Sequence, residues 1–313
     1  MKKEIGIFIL LVVLCAVTGF ENHRFFSEAN LINMANQIGL FGIFSIGAGL
    51  VIITSGIDLS VGSMISLNGM LLVLALVDWH WPWPLAALFA LAIPMILGLL
   101  HGVLITRFKI QPFIVTLCGL LLYRGIARFI ANDTTKGFGE AVGFQALQKL
   151  ASGDLFGLPM PFVFLIVITI IMWFVLHRSV YGRYLYAVGH NEEAARYSGI
   201  NTRLVITCTY VLAALLTGIS GILFAFYTNS VSPSTHGNFY ELYGIAAAVL
   251  GGCSLRGGEG SIIGIIIGTT LLLVLENLVN LLGIPSSLNF AVMGAVVLIG
   301  VLADQILQRR ARK

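Results

Sequence analysis

Apolar residues in this chain come in long, almost unbroken runs, with polar residues confined to short stretches between them. A helix needs roughly 20 mostly apolar residues to cross the hydrocarbon core of a bilayer. Candidate spans fall at 4–20, 31–54, 60–77, 84–106, 113–131, 160–177, 204–228, 240–255, 261–280 and 287–304. The pattern predicts an all-α polytopic membrane protein of about ten transmembrane helices, some broken or half-length. The eighth run is short and glycine-rich, and a half-helix would fit it. Two hydrophilic stretches stand out: 132–159, with a short interfacial helix around 142–150, and 178–203.

Loop charges set the orientation. With the N-terminus inside, ten spans put Lys2, Lys3, Arg107, Lys109, Arg178, Arg183, Arg196, Arg203, Arg256, Arg309, Arg310, Arg312 and Lys313 on the cytoplasmic side. Only Arg24, Lys136 and Lys149 fall outside. The reverse threading violates the positive-inside rule, so both termini are expected in the cytoplasm. Trp79, Trp81 and Trp83 cluster in an outer loop, where indoles suit the interface. Arg124 and Arg128 lie four apart within the fifth span and share a helix face, reaching either the outer interface or the bundle interior. The first run resembles a signal peptide but lacks a small-residue cleavage site, and reads as an uncleaved membrane helix.

Composition sharpens this. Of 313 residues, 58% are hydrophobic and 10% charged, against about 25% charged in soluble domains. The +4 net charge sits in short loops beside apolar runs, which suits topology signalling rather than binding of nucleic acid or anionic lipid. Cys15, Cys118, Cys208 and Cys253 lie far apart, with no metal-ligand spacing. Six scattered histidines and the absence of H-E-x-x-H and G-x-S-x-G motifs argue against catalytic or metal residues.

Candidate chemistry lies in three places. Gly56-Ile57-Asp58-Leu59-Ser60-Val61-Gly62-Ser63 interrupts two apolar runs, and Asp58 is the sole acidic residue from Leu31 to Val77. Gly56 can end the first helix, and Asp58 or Ser60 can cap the next. The same residues, with Asn68 further along, could line a solute path or serve only as structural caps and helix–helix contacts. Gly252, Ser254, Gly257 and Gly258 form an echo of this segment, again with a Gly-Ser pair opening an apolar run. Matching interrupted segments point to a transport path, although both echoes run in the same direction here, which a simple inverted repeat does not allow. The third place is 181–201. Asn191 can cap a helix with Glu192 and Glu193 in its first turn, Ala194 and Ala195 following, Arg196 in its last turn, and Gly199 stopping it.

These three motifs resemble the membrane permeases of bacterial ATP-binding-cassette importers for ribose, xylose, galactose and related monosaccharides, over about residues 30–304. The second and third are shared more loosely with branched-chain amino acid and nucleoside permeases. His190 departs from the glycine usual there. The resemblance implies a single permease domain over 1–313 in the bacterial inner membrane, with a cytoplasmic coupling loop at 178–203. It implies cytoplasmic ATPase subunits that bind ATP and Mg, an external sugar-binding protein, and a second permease copy. Gly189, Asn191 and the helix through Gly199 would be the coupling element. No G-x-x-x-x-G-K-[ST] loop is present, so no nucleotide cofactor is expected in this chain. An ion-coupled secondary transporter is the rival from the residues alone, with Asp58 and Glu276 as its candidate carboxylates.

Overall fold

In lipid a backbone must satisfy its own polar groups, so long apolar segments become helices. The computed structural model describes residues 2–139 and 141–285, with 288, 291, 292, 294, 295 and 298 beyond them. In order come α1 (Lys2–Glu21), α2 (Glu28–Ile53), α3 (Val61–Val73), α4 (Trp83–Arg107), α5 (Pro112–Ile130), α6 (Gln145–Ser152), α7 (Met160–His177), α8 (Val180–His190), α9 (Glu192–Tyr197), α10 (Thr202–Thr228), α11 (Tyr240–Leu250) and α12 (Ile262–Leu281). A π-helical turn over Leu74–Asp78 extends α3.

Seven of these are long and apolar enough to cross a membrane: α2, α3 with its extension, α4, α5, α7, α10 and α12. The chain is therefore a polytopic membrane protein. Two shorter apolar stretches, Ile5–Glu21 within α1 and Tyr240–Leu250, stand beside them. The expected eighth span, 240–255, is cut back to α11, whose 11 residues cover about 16 Å. It reaches only part-way across. The expected tenth span, 287–304, lies for two thirds of its positions outside the described residues.

α2 and α10 form the centre of the bundle, largely buried, while α4, α5 and α7 expose most of their surface. Apolar side chains such as Leu88, Ile96, Leu121 and Ile170 make that exterior, as a lipid-facing wall requires. Hydrophobic expulsion does not hold helices together in lipid, so close packing must. Gly98 and Gly102 of α4 lie against the Tyr210 carbonyl and Thr207 of α10, and Gly218 of α10 faces Pro94 of α4. Any larger side chain there would push the two helices apart.

The connections sort to two ends. Lys109, between α4 and α5, pairs with Glu192 at 3.7 Å. At the other end Lys136 pairs with Asp78 at 3.1 Å, and the two-residue strand Lys136–Gly137 pairs antiparallel with Ser230–Val231. This is the grouping of loops that the charge pattern anticipates. The short helix expected at 142–150 is α6, shifted by three residues at its start. The stretch 178–203 is not mainly loop: α8 occupies its first half, a helix the sequence reading did not separate from the segment around it.

Candidate functional site

The first interruption is built as expected in place but not in detail. α2 ends at Ile53, and Ser55 takes a left-handed conformation at φ 64°. The Gly56 N–H then returns to the Val51 carbonyl at 3.0 Å. Asp58 is 5% exposed, and its Oδ1 accepts from the Ser60 N–H at 2.8 Å and the Ser60 hydroxyl at 2.6 Å. This is a local turn two residues long. Neither side chain caps α3: Ser60 occupies the cap position without a capping bond, and it is Ser60 that satisfies Asp58. The Ser63 hydroxyl donates to the Ser60 carbonyl at 2.8 Å. Asn68 donates from Nδ2 to the Gly218 carbonyl of α10 at 2.9 Å and is fully buried, so it acts as a helix–helix tie.

Around this segment lies a polar cluster that sequence reasoning missed. Thr116 and Tyr210 donate to the Ile57 carbonyl at 3.2 and 3.4 Å. The Tyr123 hydroxyl meets His101 Nε2 at 2.7 Å. These residues sit singly in apolar runs on α4, α5 and α10, so no local pattern announces them.

Arg124, which the sequence left between two orientations, points inward. Its Nη1 donates to the Pro233 and His236 carbonyls at 3.1 and 2.6 Å. Those carbonyls belong to the irregular segment 232–239 that leads into α11. That segment meets the start of α3, where Gly62 packs against Gly237 and Glu241 with no room for a Cβ. Arg128, on the same helix face, instead pairs with Asp133 at 2.6 Å in an exposed ion pair.

The second interruption, 251–261, turns on three positive-φ glycines: Gly252 at 93°, Gly257 at 80° and Gly258 at 73°. Ser254 accepts from the Arg256 N–H at 3.2 Å, and its carbonyl from the Gly257 N–H at 2.8 Å. The two interruptions meet each other and the α8–α9 joint. The Gly258 N–H donates to the Ile53 carbonyl at 2.9 Å. The Ser55 hydroxyl bonds to the Gly189 and Arg256 carbonyls, both at 3.0 Å. The Tyr186 hydroxyl donates to the Gly260 carbonyl at 2.7 Å. A Cβ on Gly189 would overlap the Ile53 carbonyl, and one on Gly257 would overlap the Ser55 hydroxyl. Three backbones therefore touch without side chains between them.

α9 projects from this junction. Asn191 caps it, accepting the Ala194 N–H at 2.9 Å. Gly199 ends it at φ 84°. Ala195 is its buried contact, while Glu193, Arg196 and Tyr197 are exposed. Glu192 accepts from the Thr202 hydroxyl at 3.2 Å, which fixes the base of α9 to the start of α10. The arrangement is a small exposed helix that follows a joint hydrogen-bonded to both interruptions.

A protein-family model described as branched-chain amino acid transport system, permease component, matches residues 30–301. The chain belongs to this family. The permease is 37% identical to the ribose import permease protein of Bacillus subtilis strain 168, over 97% of its own length and 94% of that protein's. It is 38% identical to the ribose import permease protein of Escherichia coli K12, covering 95% and 92% of the two chains. With the xylose transport system permease protein of Escherichia coli K12 the identity is 30%, covering 98% and 94%. No solved structure matches the permease.

Proposed function

We propose that this permease is the membrane subunit of an ATP-binding-cassette importer that carries a monosaccharide, ribose-like, across the bacterial inner membrane. The observation that carries the reading is the exposed, capped α9 following directly on the end of α8, whose Gly189 carbonyl and Tyr186 hydroxyl are hydrogen-bonded to the two interruptions. Relatives named as ribose and xylose permeases along nearly their whole length support the substrate class over branched-chain amino acids or nucleosides. Both termini and α9 lie in the cytoplasm in this reading, and the chain acts as one permease domain.

ATP and Mg bind on separate ATPase subunits, which grip α9. An external sugar-binding protein delivers the solute, and a second permease copy completes the pore. When the ATPases close, α9 moves, and its root at Gly189 drags Ile53, Ser55 and Gly258 with it. The two broken segments then shift together as the bundle rocks between outward- and inward-open states. Asp58, satisfied by Ser60, holds the shape of the first break rather than meeting the solute. A neutral sugar needs hydrogen bonds and apolar walls, which fits the scarcity of membrane charge.

Co-purification with the ATPase, followed by hydrolysis assays in proteoliposomes with the binding protein, tests this. Ribose or a related pentose or hexose should stimulate hydrolysis. Stimulation by leucine or a nucleoside instead would change the substrate class. Transport driven by an ion gradient with no ATPase would overturn the mechanism.

A further inference from the structure

Glu276 is an unusual residue for a membrane helix. It lies in α12, five residues before the helix ends at Leu281, about 8 Å inside that end. It is only half-buried, and among the described residues no Lys, Arg or His pairs with it. Among the described residues its one hydrogen bond comes from the Tyr243 hydroxyl at 3.4 Å, which is long. A carboxylate turned toward lipid costs about 2.5–3.5 kcal/mol near the bilayer centre even on the mildest scales. A side chain this short has little reach to snorkel from that depth. Its open side must therefore meet water.

The neighbourhood agrees. Asn277 exchanges hydrogen bonds with Asn30 of α2 at 2.7 and 3.2 Å, and Asn280 is exposed one turn beyond Glu276. The end of α12 distal to the α8–α9 joint thus carries a polar stripe. Beside it stands an aromatic group: Tyr240 has its ring 4.8 Å from Phe41 and 5.8 Å from Phe44, and Phe41 lies 5.2 Å from Tyr243. Phe41 and Tyr240 are half-buried. Aromatic faces beside a carboxylate and amides make a surface for a neutral polyol, whose C–H faces stack on rings and whose hydroxyls donate to an anion. Asp58 offers no such surface, being 5% exposed and already satisfied.

We infer that Glu276, with Tyr240 and Phe41, lines the water-filled outer entrance of the path and contacts the sugar's hydroxyls there. The inference rests on the importer reading and assigns the site within it.

The test uses the full importer in proteoliposomes. In a chain with Cys15, Cys118, Cys208 and Cys253 replaced, Glu276→Cys is compared with Ile170→Cys on the lipid-facing side of α7, using a membrane-impermeant charged thiol reagent. Position 276 should label roughly tenfold faster or more, because the charged reagent does not enter lipid. Glu276→Gln should lower ribose-stimulated hydrolysis roughly ten- to hundredfold, the loss of one charge-assisted hydrogen bond, while complex assembly stays intact. Labelling of 276 no faster than 170, or full ribose stimulation in Glu276→Gln, would overturn the assignment. Absence of ribose stimulation in the wild-type complex would instead remove the importer reading on which it stands.

Discussion

Single positions decide whether the junction between the two breaks can close. Gly189 and Gly257 exist there because any side chain would occupy space taken by Ile53 and Ser55. Gly189→Ala should leave the chain in the membrane yet lower sugar-stimulated ATP hydrolysis at least several-fold, since the α8–α9 joint must then separate from Ile53. Hydrolysis at the wild-type rate would show that the close approach carries no motion. Two arginines one turn apart give a sharper contrast. Arg124→Gln removes the guanidinium donor to two carbonyls of an irregular segment, at a cost of about 1–3 kcal/mol, and should reduce detergent-solubilised melting temperature measurably. Arg128→Gln breaks only an exposed ion pair and should leave melting nearly unchanged. The Arg128 hydrogen bond holds the Asp133 carboxyl below its usual range. The pair's contribution is thus present above the ordinary aspartate pKa and fades only as pH falls through the depressed one.

At the scale of elements, α9 is capped by Asn191 and stopped at Gly199 as its residues announced, and its coupling role is open to test. Asn191→Ala should cost about 1 kcal/mol of local helix stability and weaken ATPase co-purification without unfolding the bundle. Gly199→Pro should do worse, because proline cannot adopt φ 84° and removes the N–H that bonds the Arg196 carbonyl at 3.0 Å. Unchanged ATPase recovery from both variants would count against α9 as the grip. α9 was readable because Asn191, Glu192, Glu193, Arg196 and Gly199 form a local code. α8 was not, because Gly182 and Gly189 interrupt its pattern, and its N-cap Ser179 looks like any loop serine. The long spans were readable from run length alone. α11 fell short because Gly251 and Gly252 end the helix inside what reads as a continuous apolar run. Asp58 was readable as satisfied but not by what: the turn to Ser60 competes with a helix cap, and local sequence permits both.

Across the whole molecule, the meeting of 53–58, 186–190 and 251–261 lies beyond what pattern reading can reach. Its contacts join the Ser55 hydroxyl to carbonyls 134 and 201 positions away, and no residue type marks a carbonyl that will accept from afar. The two glycine-rich echoes did point to both partners of that meeting, though not to their contact. In the proposed mechanism this link lets α9 and the two breaks move as one unit. The most direct measurement is photo-crosslinking from α9 in the active complex. A photoreactive amino acid replacing Tyr197, 82% exposed, should capture the ATPase subunit, whereas one replacing Phe156 at the opposite end should not. Capture from position 156, or none from 197 in a complex that transports, would contradict both the orientation and the drive proposed here.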